Sequence, residues 1–263
     1  MSMEPESFLL GPTEGPAARV LNAGGRARAV LICEHASRFI PAKLDGLGLS
    51  QTAARSHAAW DIGAFELAVE LCGALDAPLV YSRASRLVYD CNRPPEAPDA
   101  IPVKSEVFAV PGNVRLTEAD RDLREAAVYL PFRELLSDTL NARLAAPLVI
   151  TIHSFTPVYL GQAREVELGI LHDTDDRAAR ALLSAAEGSG LHCALNEPYS
   201  AADGVTHTLR EHAIPRGLPN VMVEIRNDLL ADAQGVNRMA GLLTPMLLRI
   251  MRDLVPDDDA DGR

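Results

Sequence analysis

The stretch Pro147-Leu148-Val149-Ile150-Thr151-Ile152-His153-Ser154-Phe155-Thr156-Pro157 decides the fold. Its apolar run is short, rich in β-branched residues and bounded by prolines, the pattern of a strand buried on both faces. It runs out into a histidine, a hydroxyl and an aromatic ring. The same construction stands earlier in the chain, where Ala29-Val30-Leu31-Ile32-Cys33 leads into Glu34-His35-Ala36-Ser37-Arg38. Further strands are expected at 78–82, 166–171, 191–195 and 220–226. Helical spacing fills the gaps. Residues 50–75 read as one helix with Ser50 as N-cap and an apolar face of Trp60, Phe65, Leu67, Ala68 and Leu71. A second runs from Thr117-Glu118-Ala119-Asp120 to about residue 143, with a break expected near Pro131. Others cover 175–187 and 239–254. Strands alternating with helices predict a single-domain α/β layered fold around a central, mostly parallel (mixed) sheet. Ligands of such sheets collect beyond the carboxyl ends of the strands. His35 and His153 are therefore expected on one rim.

At 263 residues the chain is long enough for one large core without disulfides or a structural metal. Residues 28–255 are expected to form one catalytic domain. Residues 1–27 read as a flexible arm, and the acidic 256–263 as a disordered tail. The net charge of −11 argues against nucleic acid or an anionic membrane as partner, since both require a basic face. No apolar run is long enough to span a bilayer, and no signal-peptide pattern opens the chain. Cys33, Cys72, Cys91 and Cys193 are scattered without a CxxC pair. That spacing fits neither a disulfide framework nor a thiolate zinc site, and it suits a cytoplasmic location.

The chemistry-bearing residues lie near the expected rim. Ser85-Arg86-Leu87-Val88-Tyr89-Asp90-Cys91-Asn92-Arg93 follows a strand and offers two arginines close together. Such guanidinium forks call for an anion, and a substrate carboxylate fits them. His35 and His153 suit a metal, although either alone would equally satisfy a loop backbone. A third ligand is open among the rim carboxylates. Asp61 shares a helix face with His57, four residues away. Glu34 adjoins His35 but points elsewhere if the strand conformation persists. Glu224, inside the apolar strand 220–226, is either paired to an arginine or a general base. Asn196-Glu197-Pro198-Tyr199-Ser200 reads as a turn or as a loop closing over substrate. His207 is a weaker candidate beside it, His212 weaker still, and His172 and His192 read as structural.

Taken in order, several of these pieces resemble the N-formylglutamate amidohydrolase family. They are Cys33-Glu34-His35-Ala36-Ser37, Trp60-Asp61-Ile62-Gly63, Arg86 through Arg93, Thr151-Ile152-His153-Ser154, Asn196 through Ser200, and Val223-Glu224-Ile225-Arg226-Asn227-Asp228. The family is related in fold to zinc carboxypeptidases and aspartoacylase-like deacylases. The resemblance implies a phosphorylase/hydrolase-like α/β fold, one Zn2+ per chain, and a small carboxylated substrate such as N-formylglutamate. It implies His35 and His153 as metal ligands, Glu224 as base and Arg86 as the group polarising the scissile carbonyl. Asn92 and Arg93 would hold the substrate carboxylate, with Tyr199 and His207 also on substrate. The zinc carboxypeptidases take a further ligand from a glutamate three residues after the first histidine. Arg38 stands there in this chain, and Asp61 is taken as the substitute. Another N-acyl amino acid as substrate, or a non-catalytic carboxylate-binding protein, are the rival readings. A homo-oligomer is compatible with the sequence.

Overall fold

The computed structural model describes residues 8–255. One seven-stranded sheet runs in the order β1 (Ala18–Leu21), β3 (Leu79–Ser82), β2 (Ala29–Cys33), β6 (Leu148–Phe155), β11 (Asn220–Arg226), β9 (Leu168–Leu171) and β10 (Cys193–Leu195). Two short hairpins stand outside it, β4 (Lys104–Ser105) with β5 (Phe108–Ala109), and β7 (Val158–Tyr159) with β8 (Gln162–Ala163). The central strands β3, β2, β6 and β11 are parallel. β1 and β9 run antiparallel to their neighbours in that group, and β10 is parallel to β9. This is the single-domain, mixed but mostly parallel α/β fold expected from the sequence.

The inner strands are apolar because both faces of the sheet are covered. After the short helix α1 (Gln51–Arg55), helix α2 (Ala64–Leu75) packs on one face. Helices α3 (Glu118–Arg124) and α4 (Leu130–Asn141) follow on the other, with residues 84–101. Helices α5 (Arg177–Ala185) and α6 (Ala233–Leu254) return to the α2 face. Alternation along β6 and β11 sends Ile150, Ile152, Val221, Val223 and Ile225 toward α2, α5 and α6. The opposite parity carries Val149 and Met222 into the second core, and with them Thr151, His153 and Glu224. His153 and Glu224 are register partners, so the pairing of two strands sets them side by side.

Several elements differ from their sequence reading. Residues 8–27 are not a loose arm: Ala18–Leu21 pairs with β3, and Leu9, Ala17 and Ala18 are buried. The edge position explains why a strand containing Arg19 escaped a search for apolar runs. Residues 1–7 and the acidic tail lie outside the described residues. The expected helix 50–75 is two helices, with Ser50 capping the first through Ala53 N. Gly63, at φ +80°, starts the second. His57, Trp60 and Asp61 therefore lie on the intervening loop. At Pro131 there is no break. The chain passes from α3 to α4 through a π-helical turn, Glu125–Tyr129, which widens the helix where a proline ring would crowd the preceding carbonyls. β6 continues through His153 to Phe155, and α6 starts at 233 under an Asp232 cap.

Gly63 is the tightest of these junctions. A Cβ there would run into the Leu230 side chain and lie 2.9 Å from its carbonyl oxygen, in a backbone region that side chains rarely adopt. Gly63→Ala is expected to cost about 1–3 kcal/mol. It should appear as a lower urea midpoint at unchanged slope, and an unshifted midpoint would show that the turn before α2 yields without strain.

Candidate active site

The carboxyl ends of β2 and β6 bring His35 and His153 together, with ring centroids 5.0 Å apart. Asp61 reaches between them from the loop before α2. Its backbone N–H donates to the carbonyl of His35 (3.0 Å), which fixes the loop to the end of β2. Its Oδ2 lies 3.3 Å from His35 Nδ1 and 2.8 Å from His153 Nδ1. The three side chains thus form one buried group whose ligating atoms lie within 4.8 Å of one another.

Each histidine is backed by a second carboxylate on its far nitrogen. His35 Nε2 lies 2.7 Å from Asp90 Oδ1, and His153 Nε2 lies 3.1 Å from Glu34 Oε2. Glu34 reaches His153 because the strand conformation stops at Cys33, so the expected alternation does not hold beyond it. Arg86 closes the group. One guanidinium nitrogen lies 3.1 Å from Asp61 Oδ1 and also donates to the His57 carbonyl, while Nε donates to the Ala58 carbonyl (3.2 Å). Its Nη1 faces His35 Nδ1 at 3.4 Å.

This donor set fits a divalent cation. Two imidazole nitrogens and one carboxylate oxygen converge, and each imidazole is oriented by a carboxylate on its other nitrogen, as metal-bound histidines generally are. Charge points the same way. Metal ligation requires neutral imidazoles. Glu34, Asp61 and Asp90 then outweigh Arg86, an excess of negative charge that a cation would offset. Without an ion, protons take that place. Burial disfavours the His153 imidazolium, but Glu34 and Asp61 more than offset it and hold its pKa well above the usual histidine value. Burial likewise opposes Asp61, but Arg86 and His35 hold its carboxyl well below the ordinary range. His57 is buried too; burial and Arg86 push its pKa down to about 3, so it stays neutral 3.8 Å from Asp61.

Glu224 stands apart. Its Oε2 is buried with no hydrogen-bond partner, and burial pushes its pKa up to about 7 despite nearby His153. A carboxyl titrating near neutrality beside a cation site suits proton transfer. On the other side of Glu224 lies Gly169, its partner in β9. A Cβ at Gly169 would run into the Glu197 carbonyl, so the missing side chain lets the Asn196–Tyr199 segment lie close against the sheet.

The remaining expected residues have more divided duties. Asn92 is buried with both ends of its amide engaged. Nδ2 donates to the Val205 carbonyl (2.5 Å) and Oδ1 accepts from Thr208 N (3.0 Å). Arg93 donates from Nε to Asp99 (2.7 Å) and from Nη1 to the carbonyls of Asn92 and Gly204 (3.1 and 3.0 Å). Its Nη2 makes no hydrogen bond among the described residues. His207 Nε2 pairs with the Tyr129 hydroxyl (2.8 Å) and lines a cleft of about 320 Å³ with Pro94, Thr206 and Arg210. The Tyr199 hydroxyl accepts from Arg164 (3.1 Å). Arg38 lies over the Trp60 ring, 5.8 Å from its centroid. Sequence reasoning missed the parts played by Glu34 and Asp90, and Arg164 altogether. The acids were flagged by their closeness to His35 and Arg86; Arg164 directly follows a short hairpin with no pattern around it.

Residues 27–231 match the family described as N-formylglutamate amidohydrolase. The chain belongs to the N-formylglutamate amidohydrolase family. Among solved structures, gene product Atu2144 of Agrobacterium tumefaciens is 51% identical, covering 93% of this chain and 98% of its own, with a TM-score of 0.91. The N-formylglutamate amidohydrolase of Ralstonia eutropha JMP134 covers 91% and 98% at a TM-score of 0.62 and 17% identity, a likeness of fold. No curated protein matches the chain. Membership in the N-formylglutamate amidohydrolase family makes the chain a hydrolase of the amide bond of a small N-acyl amino acid. Among the described residues no helix is long and apolar enough to cross a membrane.

The Glu224 shift has a sign that stability measurements can read. Its carboxyl is protonated up to about pH 7 in the native state, whereas an unfolded glutamate titrates near 4.5. Between these values the native state holds a proton that the unfolded state has released, so stability falls as pH rises through the window. In chelator-treated protein the full loss is on the order of 3 kcal/mol. Urea titrations from pH 4.5 to 8 should show a larger decline in wild type than in Glu224→Gln, the difference building up to about pH 7, and parallel curves would mean that Glu224 ionises as in water.

Proposed function

We propose that the chain is a metal-dependent amidohydrolase that splits N-formylglutamate, or a close N-acyl relative, into the acid and the free amino acid. The observation that supports this is the Asp61 carboxylate shared by two imidazoles, each backed by its own acid. His35, Asp61 and His153 would hold a single zinc ion. When bound, such an ion supplies Lewis acidity that polarises an acyl carbonyl and makes water a nucleophile near neutral pH.

The chain's own groups do the rest. Asp90 and Glu34 hold the imidazoles with Nδ1 turned inward. Glu224, ionised near neutrality, takes a proton from the attacking water and delivers it to the departing amine nitrogen. Arg86 is fixed by Asp61 and by the carbonyls of His57 and Ala58, so Nη1 is oriented in advance toward the charge that develops on the acyl oxygen. Arg93 offers Nη2 to a substrate carboxylate. Asn92 acts by tying residues 205–208 beside it, and His207 and Tyr199 border the substrate. The reaction would run in the cytoplasm, as part of amino-acid breakdown.

The test is formate release from N-formyl-L-glutamate, with metal content measured on the same sample. About one zinc per chain and loss of turnover on chelation, restored by added zinc, are expected. Glu224→Gln should keep the metal and lose kcat by about 100-fold or more. Wild-type turnover in that variant would remove Glu224 from the reaction, and turnover untouched by metal removal would remove the ion.

A further inference from the structure

Three arginines surround the buried group, and two are neutralised within the protein. Arg86 is paired with Asp61, and Arg93 with Asp99. Arg164, which directly follows β8, has no carboxylate within ion-pair distance among the described residues. Its guanidinium instead lies among three aromatic rings, 5.5 Å from the Phe155 centroid, 4.6 Å from Tyr159 and 4.9 Å from Tyr199. One Nη donates to the Tyr199 hydroxyl (3.1 Å), and the other makes a long contact with the Thr156 carbonyl (3.4 Å). Rings of this kind hold a guanidinium flat without cancelling its charge. The cage lies beyond His153 at the carboxyl end of β6. Phe155 follows His153 by two residues on β6, so both side chains share a face, and Phe155 lies one pleat repeat, about 6.6 Å, further toward the open end of the strand.

We propose that Arg164 is a second carboxylate anchor of the site and binds the side-chain carboxylate of an acidic N-acyl amino acid. The inference rests on the amide-hydrolase reading above. In an extended N-acyl glutamate the acyl carbon and the side-chain carboxyl carbon are separated by five bonds, about 6 Å, comparable to the spacing of the His153 and Phe155 positions along β6. The backbone carboxylate is only three bonds away, roughly 4 Å, and falls short. Arg93, on the β2 side of the rim beside Asp90 and His35, is left for that nearer carboxylate. Tyr199 orients Arg164, and the short hairpin β7–β8 brings it over the end of β6.

Steady-state kinetics with N-formyl-L-glutamate and N-formyl-L-glutamine test this, because the two differ by one charge at nearly equal size. Wild type should favour the glutamate substrate by at least tenfold in kcat/KM. Arg164→Gln should reduce that preference about 10- to 100-fold, mainly through a raised KM for the glutamate substrate. An unchanged ratio, with both substrates slowed alike, would overturn the assignment. Should Arg164→Gln fail to fold, as judged by melting, Tyr199→Phe removes the orienting hydroxyl; it should lower the same ratio a few-fold, and an unaltered ratio would count against the anchor. Calorimetric binding of L-glutamate and L-glutamine separates this inference from the reaction itself. If wild type releases formate from neither substrate yet binds glutamate over glutamine only while Arg164 is present, the acidic subsite stands and the amidohydrolase reading falls. Equal binding of the two amino acids would overturn the subsite.

Discussion

A single carboxylate oxygen, Asp61 Oδ2, stands between two imidazole nitrogens in a deeply buried place, and much of the surrounding structure serves to keep it there. A buried carboxylate is tolerated only when it is paired and hydrogen-bonded. Asp61 meets that condition from several directions. β2 and β6 supply the histidines, the His35 carbonyl fixes the Asp61 backbone, and Arg86 takes the second carboxylate oxygen. Gly63 permits the turn that brings Asp61 inward before α2 begins. Removing any one partner would leave the others with unbalanced charge. The region is therefore one electrostatic unit rather than a set of independent ion pairs.

The sheet explains why the unit is open to chemistry on one side only. Parallel pairing of β2, β6 and β11 brings the carboxyl ends of three strands to the same rim. The helices α2, α5 and α6 cover the face that carries Ile152, Val223 and Ile225. The opposite face carries His153 and Glu224, and there the covering chain is irregular, made of residues 84–101 and 196–208 in addition to α3 and α4. Irregular chain exposes backbone carbonyls, and these are what position Arg86, Asn92 and Arg93. Regular helices, with their carbonyls already hydrogen-bonded internally, would have left those side chains less firmly held.

How much of this the sequence disclosed follows from the range of the interactions involved. The inner strands were legible because burial on both faces leaves an unbroken apolar run. The ends of those runs then picked out His35, His153 and Glu224. Asp61 was legible as a residue but not as a loop residue, because the break in 50–75 depends on the fit of Gly63 against Leu230, which is far away in the chain. β1 was missed because an edge strand needs only one apolar face. Glu34 was set aside on a rule of alternation that ends where the strand does. The partnership of Asp90 with His35 spans 55 residues, and the cage around Arg164 draws rings from positions 155, 159 and 199. Neither leaves a local pattern to read.

The division of labour among the acids follows from the partners each has. Glu34, Asp61 and Asp90 all face cationic or hydrogen-bonding groups and are held ionised against the cost of burial. Glu224 is as deeply placed but makes no ion pair among the described residues, and its strand neighbour on the far side is a glycine with no side chain to offer. Burial is thus left to dominate, and the carboxyl rises toward neutrality. An acid satisfied by its neighbours would be a poor base, since those neighbours stabilise the anion and weaken its hold on a proton. The same absence of partners that makes Glu224 a liability for folding leaves it able to accept a proton and give it up again at neutral pH. The three ionised carboxylates, by contrast, are committed to the histidines and to Arg86, and are poorly placed to exchange protons with a substrate.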